Sequence, residues 1–181
     1  ITHYPLHNLP DAGYTPTGAG FLPFLTGTVA QGCYDIDHVA YTFEAVVTNT
    51  STIGAFRGAG RPEAIATLER AVDVFAAEAG IDPVEVRRRN FIKPDNFPFT
   101  TMTGSVYDSG RFAEGLRLAC EIAGYEQLRS DQAARRESGS KKLLGIGVAS
   151  FVEITAAAPG PQTEHGAISL LDDGSFRVDF G

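Results

Sequence analysis

A chain of 181 residues suffices for one ordinary domain or parts of two, and a 43% hydrophobic share is enough to bury a core. The net charge of −7 excludes nucleic acid as a general partner, because neutralising phosphates requires a basic surface. No apolar run approaches the ~20 residues of a membrane span, and no charged-then-apolar signal opens the chain, so a soluble protein is expected.

Residues 1–23 are rich in proline and glycine without a sustained period, which predicts an irregular opening. The apolar stretch Phe21 to Cys33 predicts a short helix, with Gly27 and Gly32 weakening the pattern. From Val39 to Val47 the odd positions are apolar while Thr42, Glu44 and Thr48 interleave, a period of two that predicts a half-buried strand. Ile65, Leu68, Val72, Phe75 and Ala79 recur at helical spacing, predicting a helix from about Pro62 to Ala79 capped by Gly80. A second helix follows, with Asp82 as N-cap, Pro83 at its first position and Glu85 in its first turn. Its Arg87-Arg88-Arg89 triplet reads as a solvated or interface face.

Prolines 94 and 98 mark a loop from Asn90 to Thr103, which Phe91, Phe97 and Phe99 should pin to the body. A third helix places Phe112, Leu116, Ala119, Cys120 and Ala123 on one face and stops at Gly124. Residues 125–138 are charged and poorly amphipathic, and Ser138-Gly139-Ser140 sets the expected division into units 1–138 and 139–181. Beyond it Leu143 to Ile154 reads as a strand rich in small residues. Ala167 to Leu171 and Ser175 to Phe180 form a hairpin about Asp172-Asp173-Gly174, with Phe176, Val178 and Phe180 inward. The class implied is mixed α/β: helices on a mixed sheet with a C-terminal hairpin.

Cys33 and Cys120 are too few for a disulfide framework or zinc site and favour a reducing, cytoplasmic setting. His3, His7, His38 and His165 show no metal-ligand spacing.

Between the predicted strand and the first long helix lies Gly54-Ala55-Phe56-Arg57-Gly58-Ala59-Gly60-Arg61-Pro62-Glu63-Ala64. Unpaired N–H groups at a helix start, together with two arginines, favour an anion. The dinucleotide pattern G-x-G-x-x-G fails because Glu63 holds the third glycine's place, and no G-x-x-x-x-G-K-[ST] occurs. An ordinary tight connection with solvated arginines, in a non-catalytic phosphate-binding or scaffolding module, is the alternative reading.

Residues Ala55 to Ala64 resemble the A-[FY]-R-G-x-G-x-P segment of the molybdenum hydroxylase large subunits, the xanthine dehydrogenase, aldehyde oxidase and carbon monoxide dehydrogenase group. Asp82-Pro83-Val84-Glu85-Val86-Arg87-Arg88-Arg89-Asn90 and Thr103-Gly104-Ser105-Val106-Tyr107-Asp108-Ser109-Gly110 extend the likeness downstream. The resemblance implies part of a larger α/β subunit that binds molybdenum–molybdopterin and hydroxylates an aldehyde or N-heterocycle. Iron–sulfur clusters and FAD would lie on partner subunits. By position, Arg57, Gly58, Ala59 and Gly60 are the cofactor-binding residues, with Arg57 lining the cofactor and the glycines letting backbone approach it.

Departures from the family pattern refine this. Ala59 replaces an aromatic substrate wall, and Leu25 falls where xanthine dehydrogenases carry a substrate-binding arginine, so a purine is disfavoured. Gly58 stands where the copper-dependent carbon monoxide dehydrogenases have a cysteine ligand. Glu153 is expected near the substrate channel without being the base. The family's catalytic glutamate and G-Q-G loop have no match here, so these residues alone are expected to be inactive.

Overall fold

The computed structural model describes residues 1–14, 20–153 and 165–180. The mixed α/β class is as expected, but among the described residues the strands form four separate two-stranded ladders rather than one sheet. Strand β1 (His3–Asn8) runs parallel to β3 (His38–Phe43), and β2 (Asp11–Gly13) runs parallel to β4 (Val46–Val47). The opening is therefore not irregular in its described part. Among the described residues each strand of a ladder has one edge without a ladder partner, where a proline such as Pro5 is tolerated.

Parallel strands need a crossover, and α1 (Phe21–Thr28) lies between β1 and β3 in the chain. It packs closely on β3. A Cβ at Gly27 would stand 2.7 Å from the Tyr41 ring, and the Tyr41 hydroxyl donates to the Pro23 carbonyl at 2.6 Å. The predicted strand to Val47 breaks at Glu44 and Ala45, where the chain passes from the first ladder to the second.

Helix α2 (Arg61–Ala79) ends at Gly80 in the left-handed region, as predicted. Its buried apolar stripe is Ala64, Leu68, Val72 and Ala76, whereas Phe75 and Ala79 are exposed. Asp82 caps α3 (Pro83–Asn90) by accepting from the Val84 and Glu85 amides. Leu68, Val72 and Ala76 of this stripe close on Cys33, Tyr34, Ile36, Val86, Phe91 and Leu116 to form the core. Tyr34 and Phe91 stack at 5.4 Å between ring centres.

The arginine triplet, expected as a solvated or interface face, is split, and only Arg87 departs from that expectation. Arg88 and Arg89 are exposed and pair with Glu85, but Arg87 is wholly buried. Its Nε donates to Glu69 Oε2 at 2.8 Å and one guanidinium nitrogen meets Asp73 at 2.9 Å. The other donates to the Pro83 carbonyl. Two carboxylates across from α3 turn that arginine inward, and a reading of α3 alone cannot see them.

After α3 the loop is pinned as predicted: Phe91 is buried, and Phe97 and Phe99 are half-buried. Strands β5 (Phe99–Thr100) and β6 (Val106–Tyr107) pair within and beyond it. Helix α4 (Phe112–Ala123) stops at Gly124, and the charged stretch after it forms a further helix, α5 (Tyr125–Glu137). Anchors at the ends of contacts hold α5 in place. The Tyr125 hydroxyl donates to Asp82, and the buried Gln132 donates to the Leu144 carbonyl.

The expected strand over Leu143 to Ile154 has the period but not the ladder. Leu144, Ile146, Val148, Ser150 and Val152 are half-buried in alternation, yet residues 143–153 have no strand partner among the described residues, and Ile154 lies outside them. The C-terminal hairpin is present as β7 (Gly166–Leu170) and β8 (Phe176–Phe180), turning through Gly174 at φ +84°. Its facing pairs put Ile168, Leu170, Phe176, Val178 and Phe180 on one face, and all are exposed. The alternation is right, but no core covers that face among the described residues.

Candidate functional site

The glycine corner is built from three anchored pieces. Asp11 holds the chain leaving β4 by accepting from the Thr48 and Thr50 hydroxyls and the Gly13 amide. Those donors keep its carboxyl below the usual range. Residues 51–57 then run exposed, with Phe56 projecting 95% into solvent. Finally Gly58 and Gly60 adopt φ of +72° and +83°, conformations that side chains rarely adopt.

Gly60 has a second reason to be glycine. A Cβ there would lie 2.7 Å from the Leu22 carbonyl and 2.6 Å from the Thr26 amide, so the start of α2 sits directly on α1. This packing gives the buried Gly60 a structural reason to be glycine. At Gly58 a Cβ would only touch the Pro62 ring at 3.3 Å. The helix begins one residue earlier than predicted, at Arg61, whose amide donates to the Gly58 carbonyl.

The two arginines have different environments. Arg61 is mostly buried; it donates to the Ala59 carbonyl at 3.3 Å and pairs with Glu153 at 3.2 Å. Arg57 is exposed and has no ion-pair partner among the described residues. Ala59 is half-buried between them. Among the described residues the corner thus presents one outward cation, Arg57, beside the partly exposed backbone of Gly58 and Ala59. Leu25 lies against the same corner, its Cβ 2.8 Å from where a Gly60 side chain would begin.

A charged cluster that the sequence did not single out is centred on Glu69 of the same helix, α2. Glu69, 5% exposed, accepts from the Tyr34 hydroxyl at 2.5 Å, from Arg87, and from the Ser150 amide at 3.0 Å. Burial pushes the Tyr34 phenol well up, helped by the Glu69 charge. The available signal was a glutamate beside Leu68 on the inward side of a helix.

The cysteines are remote from the motif in chemistry as well as sequence. Burial, then Glu69, pushes the Cys33 thiol up to about 12, and Cys120 is half-buried with its thiol also raised by burial. No group of three or more His, Cys, Asp or Glu residues that could hold a metal occurs among the described residues. A cavity of about 520 Å³ opens between α4 and residues 146–151, lined mainly by apolar side chains such as Phe112, Leu116 and Phe151. It does not include the corner.

Parallel ladders bridged by a helix, leading into a glycine corner with an outward arginine, define a mixed α/β segment. A family model described as molybdopterin cofactor-binding domain matches residues 1–91, and the chain belongs to that family. Over 180 residues it is 32% identical to the carbon monoxide dehydrogenase large chain of Afipia carboxidovorans, covering 95% of this chain and 22% of that one. Over 177 residues it is 35% identical to the nicotine 6-hydroxylase large subunit of Paenarthrobacter nicotinovorans, covering 96% and 21%. The structure of quinoline 2-oxidoreductase from Pseudomonas putida 86 superposes with a TM-score of 0.80 at 30% identity, over 96% of this chain and 24% of that one. The chain spans about a fifth of the length of the curated relatives it matches.

Proposed function

We propose that this chain is a segment of the molybdenum-binding large subunit of an oxidoreductase that hydroxylates an aldehyde or N-heterocycle. When bound, the molybdenum–molybdopterin cofactor supplies the oxygen-transfer and electron-accepting chemistry. The chain's own part is to form one wall of the cofactor cleft. Arg57 gives charge-assisted hydrogen bonds to an anionic group of the cofactor, Gly58 and Ala59 keep the backbone beside it uncovered, and Gly60 fixes the wall to α1. The substrate is a small molecule, and electrons leave through partner subunits carrying iron–sulfur clusters and FAD. The setting is cytoplasmic, and the boundary between the first unit and a β-rich second one falls at residue 138. No helix among the described residues is long and apolar enough to cross a membrane.

The observation that carries the choice of reaction is Gly58, which offers no side chain at the position of the copper-ligating cysteine. Cys33 cannot replace it from inside the core, where its thiol stays protonated near neutral pH. A relative named for nicotine hydroxylation and a structural neighbour named for quinoline oxidation support the heterocycle branch. The test is metal analysis and dye reduction with the purified intact enzyme. Molybdenum without stoichiometric copper, and turnover of an aromatic aldehyde or heterocycle but not carbon monoxide, is expected. One copper per molybdenum with carbon monoxide turnover contradicts the proposal.

A further inference from the structure

Residues 143–153 cross the molecule without a ladder partner among the described residues, yet they are held to α2 at two charged points. Glu69, midway along α2, accepts from the Ser150 amide at 3.0 Å. Three residues later Glu153 meets Arg61, the first residue of α2, at 3.2 Å. Glu69 is itself fixed by Arg87 and by the Tyr34 hydroxyl, so its carboxylate is a rigid peg rather than a mobile side chain. Val148 and Val152 pack against the core on either side of Ser150, which gives the segment one register.

The consequence is electrostatic. Of the two arginines at the corner, Arg61 is largely buried and compensated by a carboxylate, while Arg57 faces outward. We infer that Glu153 is a positioning residue that cancels the charge of Arg61 and so sets how strongly the corner draws small anions. Glu69 holds it there through Ser150. The inference rests on the corner being the cofactor wall. It adds that the wall is tuned to one outward cation, so that free inorganic anions are held weakly. A carboxylate beside the corner would repel a phosphate that Arg61 would otherwise attract, and the size of the effect falls with salt.

The test uses the full-length large subunit produced without molybdopterin and titrated with inorganic phosphate at low ionic strength. Glu153→Gln is expected to tighten phosphate binding about three- to tenfold, and 0.5 M potassium chloride should erase the gain (~3–5 Å screening lengths). Adding Arg61→Gln to Glu153→Gln should bring the affinity back to within about twofold of wild type, because both charges are then gone. Glu153→Asp, which keeps the charge, should behave as wild type and shows that the site is folded. Phosphate affinity unchanged in Glu153→Gln, or a gain that survives the loss of Arg61, overturns the inference. The underlying reading fails separately, if Arg57→Ala leaves molybdopterin content unchanged.

Discussion

Arg87 shows how far one residue's environment can depart from that of its neighbours in sequence. It is fully buried between Glu69 and Asp73, whereas Arg88 and Arg89 pair with Glu85 in solvent. Removing a partner from a buried ion pair leaves an uncompensated charge, a loss of about 3–5 kcal/mol, against about 0–1 kcal/mol for an exposed pair. Arg87→Ala should therefore lower the thermal midpoint of the large subunit strongly while Arg88→Ala leaves it nearly unchanged; equal shifts would contradict the buried role. Cys33 is a second case. Its thiol is raised from 9.0 to about 12 by burial, so the folded state binds a proton that the unfolded state releases first. The associated stability is full below about pH 9 and is lost as the pH rises from there through about 12. The midpoint should fall above pH 9, and less steeply in Cys33→Ala; parallel curves would show that Cys33 stays uncoupled from folding.

At the scale of elements, the helices were the legible part. Gly80, Asp82-Pro83, and Gly124 are local stop and start signals, and each caps the helix end it was expected to cap. The misses arise where the deciding partner is distant. The stretch 125–137, rich in good helix formers, is a helix that Tyr125 and Gln132 anchor to Asp82 and Leu144, contacts that no local period reveals. Residues 143–153 keep a strand's alternation but hang from Glu69 instead of a ladder. The opening strands were hidden by prolines, since only their pairing with β3 and β4 makes them strands. At the corner the motif was visible as a motif, but the role of Gly60 was not, because α1 is what it touches. Gly60→Ala introduces both a left-handed backbone cost of about 1–2 kcal/mol and a collision with α1 backbone. Gly80→Ala, with open space around it, carries only the first. Thermal midpoints should fall much further for Gly60→Ala than for Gly80→Ala, and equal losses would remove the packing argument.

The whole molecule presents two surfaces of different meaning. One is the apolar face of the β7–β8 hairpin, exposed along both strands, and the other is the corner with Phe56 and Arg57 turned outward. The chain belongs to the molybdopterin cofactor-binding family, and the proposed function takes the second surface as the place where anionic cofactor meets protein. Arg57 is the corner's outward cation and Arg61 is taken by Glu153, so the two should not be interchangeable. A hydrogen bond to a charged group is worth about 1.5–3 kcal/mol, enough to change cofactor retention roughly tenfold or more. The most direct measurement is molybdopterin content per large subunit, after gel filtration, for wild type and Arg57→Ala purified in parallel. The account predicts a marked loss of molybdopterin in Arg57→Ala with the fold retained. Molybdopterin content equal to that of wild type would contradict it.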